Sequence, residues 1–362
     1  MNFDLSEEQK MLAEQARLLL RERTPFDHLR KLIDAGAEWD EPLWRELATM
    51  GFLGANIPEA FGGLGLSELD LGVIAEELGR ANAATPFFSS IVLAADAIAL
   101  GGSPAQKAQW LAKLASGEAV GCFASAEGPG PLLGAKTTCE NGALSGVKTP
   151  VADAGVASLA VVQAGDGLVL VELDQPGVQR APLQSFDQLR PHYRVAFDNA
   201  RAETLPGADR AMIATLFDRA AVQASFEATG AAEACLYMAR DYAMGRQIFG
   251  RPLAGFQAIK HKLAELAVAI EMARSNAYFG GWAAGEAPQE LPAAAAAARL
   301  TAIVAFETAA RENLQVHGGI GYTFEANCHF YYRRERAHAV ALGARGYWVE
   351  RLLSHRFGTQ AA

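Results

Sequence analysis

The sequence predicts a mainly α-helical protein with a β segment set into its middle. Three observations carry this. Apolar residues recur at helical spacing through residue 120; from about Gly121 short β-rich runs with turn residues between them take over; from about Gly207 long helical stretches return. The implied organisation is an N-terminal helical domain over 1–120, a β domain over 121–206 and a C-terminal helical bundle over 207–362. A chain of 362 residues suits two or three packed units around sizeable cores.

Ser6 opens the first helix. With Gln9 it makes a capping box ahead of the periodic run Met11, Leu12, Ala16, Leu19 and Leu20. Further helices fall near 41–50, 69–78, 91–99 and 105–115. Pro58 and the glycines of Phe61-Gly62-Gly63-Leu64-Gly65 mark a long turn. Such glycines suggest a phosphate loop, but no strand precedes them and no Lys-Ser/Thr pair follows, so a structural turn is the better reading. The β runs lie at 156–163, 168–173 and 193–197. Turn residues set them off, Glu140-Asn141-Gly142 ahead of the first run and Asp174-Gln175-Pro176-Gly177 after the second, as in a compact antiparallel unit. The later helices cover 211–246, 256–279 and the alanine-rich 292–316, with a helical tail from Ala326.

A net charge of −9 argues against nonspecific affinity for nucleic acid or anionic membrane, and leaves room for a local basic spot that binds a small anion. Cys122, Cys139, Cys235 and Cys328 show no CxxC or metal-like spacing and read as free thiols of a reducing compartment. The N-terminus is acidic and lacks an apolar signal core, so the expected location is the cytoplasm. The longest apolar stretch, 292–304, is broken by Arg299 and falls short of the ~18 residues of a membrane span.

Specific motifs reinforce the domain order. Trp44-Arg45-Glu46-Leu47 leads to Gly51-Phe52-Leu53, then to Ile57-Pro58-Glu59-Ala60-Phe61-Gly62-Gly63-Leu64-Gly65 and Glu76-Glu77-Leu78-Gly79-Arg80. Arg246-Gln247-Ile248-Phe249-Gly250-Arg251-Pro252-Leu253 precedes Phe256-Gln257, and Gln315-Val316-His317-Gly318-Gly319-Ile320-Gly321-Tyr322-Thr323 leads to Glu325 and Tyr332-Arg333. Together, in this order and over nearly the whole chain, these resemble the acyl-CoA dehydrogenase family. The resemblance implies a helical N-terminal domain, a small antiparallel β-barrel domain and a C-terminal four-helix bundle, usually assembled as dimers of dimers. It also implies oxidation of an acyl-CoA thioester to the enoyl-CoA, with FAD as cofactor and an electron-transferring flavoprotein as acceptor. In such chemistry a carboxylate takes the α-proton while hydrogen bonds to the thioester oxygen stabilise the developing enolate.

The two C-terminal motifs suit an anionic dinucleotide. Arg246 offers bidentate, charge-assisted hydrogen bonds to a pyrophosphate, and Phe249 a flat apolar contact beside it. Gln315 has both a donor and an acceptor, and Gly318 and Gly319 let the backbone approach a ligand closely. Singly, the glycines read as a helix stop and Arg246 as a solvated charge; in this combination they read as FAD-binding groups. In the family these groups reach across the dimer interface to the FAD held mainly by the neighbouring subunit.

Elsewhere the sequence departs from the family. Read forward from Arg333-Arg334, the family's usual glutamate base falls on Leu342, within Ala341-Leu342-Gly343. The alternative base position, counted back from Arg246, falls on Ala220, and its arginine neighbour on Ala221. At the start of the β domain Ala126-Glu127-Gly128-Pro129-Gly130 is a loose relic of the family's Thr-Glu-Pro-Gly-Ala-Gly-Ser-Asp stretch. Where the family places a tryptophan and a hydroxyl against the flavin ring, this chain has Pro150 and Ala152, and Asp153 after them reads as a turn residue. Asp218, Glu227, Glu335 and His338 are the candidates for a substitute base; most such groups are solvated or bridging charges, and a lone His is more often structural.

The losses fall on groups a subunit uses for its own flavin and substrate, and the retained groups are those it lends to a neighbour. Drift has no reason to sort residues this way. The sorting resembles the base-lacking subunit of heteromeric acyl-CoA dehydrogenases that degrade sterol side chains. The expectation is therefore a non-catalytic subunit in a tetramer with a base-containing paralogue. Two alternatives remain: a self-sufficient homo-oligomeric dehydrogenase with an atypical base, and a CoA- or flavin-binding scaffold without activity.

Overall fold

A computed structural model describes residues 5–129 and 136–358. Gly130, which ends the altered stretch noted above, lies outside the described residues. The chain begins with α1 (Glu7–Arg23), α2 (Phe26–Asp34), α3 (Glu41–Thr49) and α4 (Glu68–Arg80). A π-helical segment (Phe88–Ala95) then runs into α5 (Asp96–Gly101), and α6 (Pro104–Ala115) follows. Strands β1 (Gly121–Ala124), β2 (Thr138–Glu140), β3 (Ala143–Ala152) and β4 (Leu159–Ala164) come next, then β5 (Gly167–Glu172), β6 (Val178–Leu183), β7 (His192–Arg201) and β8 (Glu203–Thr204). Helix α7 (Arg210–Gly245) leads to the hairpin of β9 (Gln247–Ile248) and β10 (Arg251–Pro252). Helices α8 (Gln257–Glu286), α9 (Leu291–His317), α10 (Cys328–His338) and α11 (Arg345–Phe357) complete the chain.

These elements form two compact units, divided within α7 between Ala220 and Ala221. The first unit takes α1, α4 and the chain from Ala221 onward. The expected capping box is present: Gln9 N donates to Ser6 Oγ at 3.2 Å and Ser6 N to Gln9 Oε1 at 3.0 Å. Glycines explain the approach of α4 to α7. A Cβ on Gly79 would stand 1.9 Å from the Glu227 carbonyl oxygen, and one on Gly230 1.8 Å from that of Glu76. At that contact the Glu76–Arg80 motif becomes an ion network. Arg17 Nη2 lies 2.7 Å from Glu77, Arg80 Nε 3.0 Å from Glu77, and Arg274 Nη2 3.1 Å from Glu76 and 3.0 Å from Glu233. Burial pushes the Glu76 carboxyl pKa up, and Arg274 and Arg80 oppose it.

Alanines of α7 and α9 and Leu266, Ile270 and Phe306 fill the core of this unit. Among the described residues one helical stretch, Leu291–Tyr322, is long and apolar enough to cross a membrane; 61% of its most apolar window is buried inside the chain, as in a core helix.

The second unit holds Asp27–Ser67 and Ala84–Ala220. Its strands make two four-stranded sheets, in the orders β1-β4-β5-β8 and β2-β3-β7-β6. All pairs in these sheets are antiparallel as expected except β1 with β4, which run parallel. The β2–β3 hairpin leaves for the other sheet, so β4 returns beside β1 in the same direction. Outside the three expected runs stand β1, β2, β3, β6 and β8; β2 and β8 span only Thr138–Glu140 and Glu203–Thr204, and the other three are hidden for physical reasons. β1 is buried at every position and shows no alternation. β3 contains Gly146 and Pro150 and shifts register between Leu144 and Gly146 and again between Lys148 and Val151. β6 is largely exposed and contains Pro182. The run expected from 156 starts late because Val156 N and Ala157 N both donate to the carbonyl of Asp153, whose φ of +58° confirms it as a turn residue.

Glu127, in the altered stretch at the start of the β domain, organises this unit. Its carboxylate accepts from Lys136 N (2.8 Å), Thr137 N (2.9 Å), Thr137 Oγ1 (2.6 Å) and the fully buried Lys148 Nζ (2.8 Å). Burial alone would raise the Glu127 pKa, but Lys148, Thr137 and the two backbone N–H groups outweigh it and hold it at about 2. Burial lowers the Lys148 pKa despite its partner. The two shifts pull the pair in opposite senses; Glu127 governs, because it collects four hydrogen bonds, whereas Lys148 gives one to it and one to the Ser125 carbonyl. Glu127→Gln should therefore destabilise the protein at pH 7 by about 2–3 kcal/mol. The folded pKa is depressed, so the contribution is full above the ordinary value of 4.5 and fades as pH falls toward about 2. Urea unfolding of both proteins across that range should show the gap closing; a pH-independent gap would refute the assignment.

Candidate FAD-binding site

The retained motifs lie at one edge of the first unit, where α7 and α9 end. Tyr242 stacks on His317 with ring centroids 4.1 Å apart, tying the two helix ends together. Ala239, Ala243 and Val316 form a small core beneath, against which Leu253, Ile259 and Leu263 pack. Arg246 follows directly, its N–H closing the last turn of α7 on the Tyr242 carbonyl at 2.8 Å.

The β9–β10 hairpin turns through Phe249 and Gly250, with φ of +49° and +75°. Positive φ at both central residues is the type I′ pattern, which favours Asn-Gly. Gly250 suits it; an aromatic residue there costs on the order of 1 kcal/mol. Phe249 is 93% exposed, and among the described residues the one ring it meets is the edge of Phe256, at 6.3 Å. The chain thus holds a strained aromatic side chain out to solvent, where its own packing gains little.

At the end of α9, Gly318 adopts φ 65° and ψ −144°, a conformation essentially restricted to glycine, and its N–H donates to the Gln315 carbonyl. A Cβ on Gly318 or Gly319 would meet nothing within 4 Å, so the chain's own packing does not require a bare backbone at Gly319. Gly321 differs: a Cβ there would stand 2.7 Å from the Leu314 carbonyl oxygen. The side chains of Arg246 and Gln315 are exposed and, among the described residues, have no hydrogen-bond or ion-pair partner. A free guanidinium, a free amide, an open glycine backbone and a presented aromatic ring fit an extended anion with a flat group.

The expected base positions are apolar and closed. Ala220 and Ala221 are fully buried, Leu342 is 1% exposed, and the Leu342 carbonyl accepts from Trp348 Nε1 at 3.0 Å. Each substitute is buried. Glu227 Oε1 lies 3.6 Å from Arg334 Nη1. Glu335 pairs with Arg336; burial pushes its pKa up and Arg336 opposes this. Arg299 Nη1 lies 3.0 Å from His338 Nδ1. A guanidinium only donates, so Nδ1 is the accepting nitrogen, and its lone pair is already engaged. Asp218 lies in the other unit, with 1% exposure.

On β3, Pro150 is exposed and Ala152 half-buried, with Val151 between them turned into the core. Ala152 pairs with His192 of β7, so the two side chains share a sheet face. His192 Nδ1 lies 2.9 Å from the Arg190 carbonyl oxygen, which can only accept, and burial lowers its pKa. The sequence reading missed His192, because only strand register places it beside Ala152.

Comparison with known proteins agrees with this geometry. Residues 6–118 match the acyl-CoA dehydrogenase N-terminal domain, and residues 207–354 match the C-terminal domain. Acyl-CoA dehydrogenase IpdE2 of Mycobacterium tuberculosis is 33% identical over 339 residues, covering 93% of each chain. Among solved structures, the Tcur3481–Tcur3483 steroid ACAD superposes with a TM-score of 0.90 at 28% identity, over 98% of this chain and 99% of that one. The ChsE4–ChsE5 complex of Mycobacterium tuberculosis gives 0.91 at 25% identity over the whole of both chains. The chain belongs to the acyl-CoA dehydrogenase family, FAD-dependent oxidoreductases acting on CH–CH bonds.

Proposed function

We propose that this chain is the non-catalytic subunit of a heteromeric acyl-CoA dehydrogenase, completing the FAD site of a base-containing partner. One asymmetry carries the reading. The groups suited to a neighbour's FAD, namely Arg246, Phe249, Gln315, Gly318 and Gly319, are solvent-facing, and among the described residues the side chains of Arg246 and Gln315 have no partner, while both base positions are buried as Ala220 and Leu342. Arg246 would hold the pyrophosphate, with Gln315 and the backbone at Gly318 and Gly319 supplying neutral hydrogen bonds. The cofactor supplies the hydride acceptor when bound; this chain's part is to fix its position and exclude water. The substrate is an acyl-CoA thioester, and the likeness to steroid dehydrogenase complexes favours a bulky acyl group and a tetramer of two chain types. Electrons would leave to an electron-transferring flavoprotein, and the assembly would work in the cytoplasm.

The test is the visible flavin spectrum of the chain purified alone and after co-expression with a base-carrying paralogue. The expected result is no bound FAD alone, with FAD and acyl-CoA oxidation appearing together in the complex. Stoichiometric FAD that bleaches when the lone chain meets an acyl-CoA would overturn the reading in favour of a self-sufficient enzyme.

A further inference from the structure

The hairpin carries a second arginine whose setting is unusual for a surface cation. Arg251, opposite Ile248 on β10, is exposed. Its guanidinium carbon lies 3.9 Å from the centroid of the Phe256 ring, within stacking distance. Its stem passes Gly255, where a Cβ would stand 3.5 Å from Arg251 Cδ. Phe256 in turn meets Phe249 edge to face. Arg251 is thereby pinned on the aromatic pair that includes the presented Phe249. Among the described residues its N–H groups have neither a carboxylate nor a hydrogen-bond partner.

An exposed arginine ordinarily loses much side-chain freedom when it binds an anion, which offsets the contact. Stacking against an aromatic face restricts the side chain beforehand and leaves the rim of the guanidinium free to donate. A diphosphate carries two negative charges, and Arg246 on the other side of the turn matches one of them. We propose that Arg251 is a second phosphate-directed residue of the lent FAD site, acting with Arg246 across the hairpin. This rests on the reading of that site given above. A lysine at this position would keep the charge but lose the flat stack and the fork of donors.

The experiment measures FAD affinity of the co-expressed complex, by flavin fluorescence, at several ionic strengths. Four forms are compared: unaltered, Arg246→Ala, Arg251→Gln and Lys260→Gln. Lys260 is a nearby exposed cation of α8, and its removal changes the net charge equally. Thermal unfolding of each altered chain alone checks that folding is intact. Arg251→Gln should weaken FAD binding on the order of tenfold, as loss of one charge-assisted contact does, and flatten its salt dependence. Lys260→Gln should stay within about twofold. Wild-type affinity for Arg251→Gln beside a weakened Arg246→Ala would overturn this inference and leave the site intact. Equal weakening by Arg251→Gln and Lys260→Gln would also overturn it, since general charge would then suffice. Unchanged affinity for both arginine variants would overturn the reading of the whole site.

Discussion

Arg246→Ala in this chain should strip FAD from the assembled complex, weakening retention by about 2–4 kcal/mol, or roughly 30- to 1000-fold. The size follows from replacing two charge-assisted hydrogen bonds with none, which neutral donors such as Gln315 and the backbone at Gly318 and Gly319 do not make good. The same substitution should leave the lone chain's stability within about 0.5 kcal/mol, because the Arg246 side chain is exposed and has no hydrogen-bond or ion-pair partner among the described residues. That split is the informative part. A structural arginine behaves the other way: Arg274, bound to Glu76 and Glu233, would unsettle the lone chain when removed. Flavin stoichiometry of the complex and a denaturation curve of the isolated chain measure the two halves. Full flavin retention by the variant complex would end the case for a lent site.

The helical parts of the fold were legible because their signals are local. The capping box at Ser6 and Gln9, the long apolar repeats of α7 to α9 and the breaks at glycine and proline each act within a few residues. The sheets were less so. A parallel partner for β1, two register shifts in β3 and an exposed edge strand such as β6 depend on neighbours distant in sequence. Residue identity marked out Arg246, Gln315 and the glycines of the candidate site, but not the strain at Phe249, which exists only once the hairpin has closed. Nor did identity separate Gly319, unneeded by the chain's own packing, from Gly321, which is wedged against Leu314. The Glu76-Glu77-Leu78-Gly79-Arg80 motif was legible as a family mark, yet its physical work, two helices in near contact beneath an ion network, depends on residues about 150 to 200 positions away, such as Glu227, Gly230 and Arg274. Charge, burial and pairing are likewise what turn the candidate bases from a set of acids into engaged groups.

Restoring the missing carboxylate should not restore an enzyme. Leu342→Glu in the lone chain should lower stability by roughly 3–5 kcal/mol, because a side chain 1% exposed would have to carry a charge out of water. The segment has little freedom to turn that charge outward. Trp348, itself fully buried, holds the Leu342 carbonyl, Arg299 holds His338, and Gly343 follows with φ of +89°. The sign of the pH dependence separates charge burial from simple misfit. Burial raises the folded-state pKa of the new glutamate above its unfolded value of about 4.3. The charge part of the deficit should then be full above the folded-state pKa, shrink as pH falls from there toward about 4.3, and be gone below that, where the side chain is protonated in both states. A steric misfit would give the same deficit at every pH. Acyl-CoA turnover by the lone variant should remain absent, since Pro150 and Ala152 still stand where flavin contacts are expected. A stable Leu342→Glu chain that binds FAD and oxidises acyl-CoA unaided would mean that the lost base is the only defect. The division of labour between two chain types would then be a recent loss rather than a built arrangement.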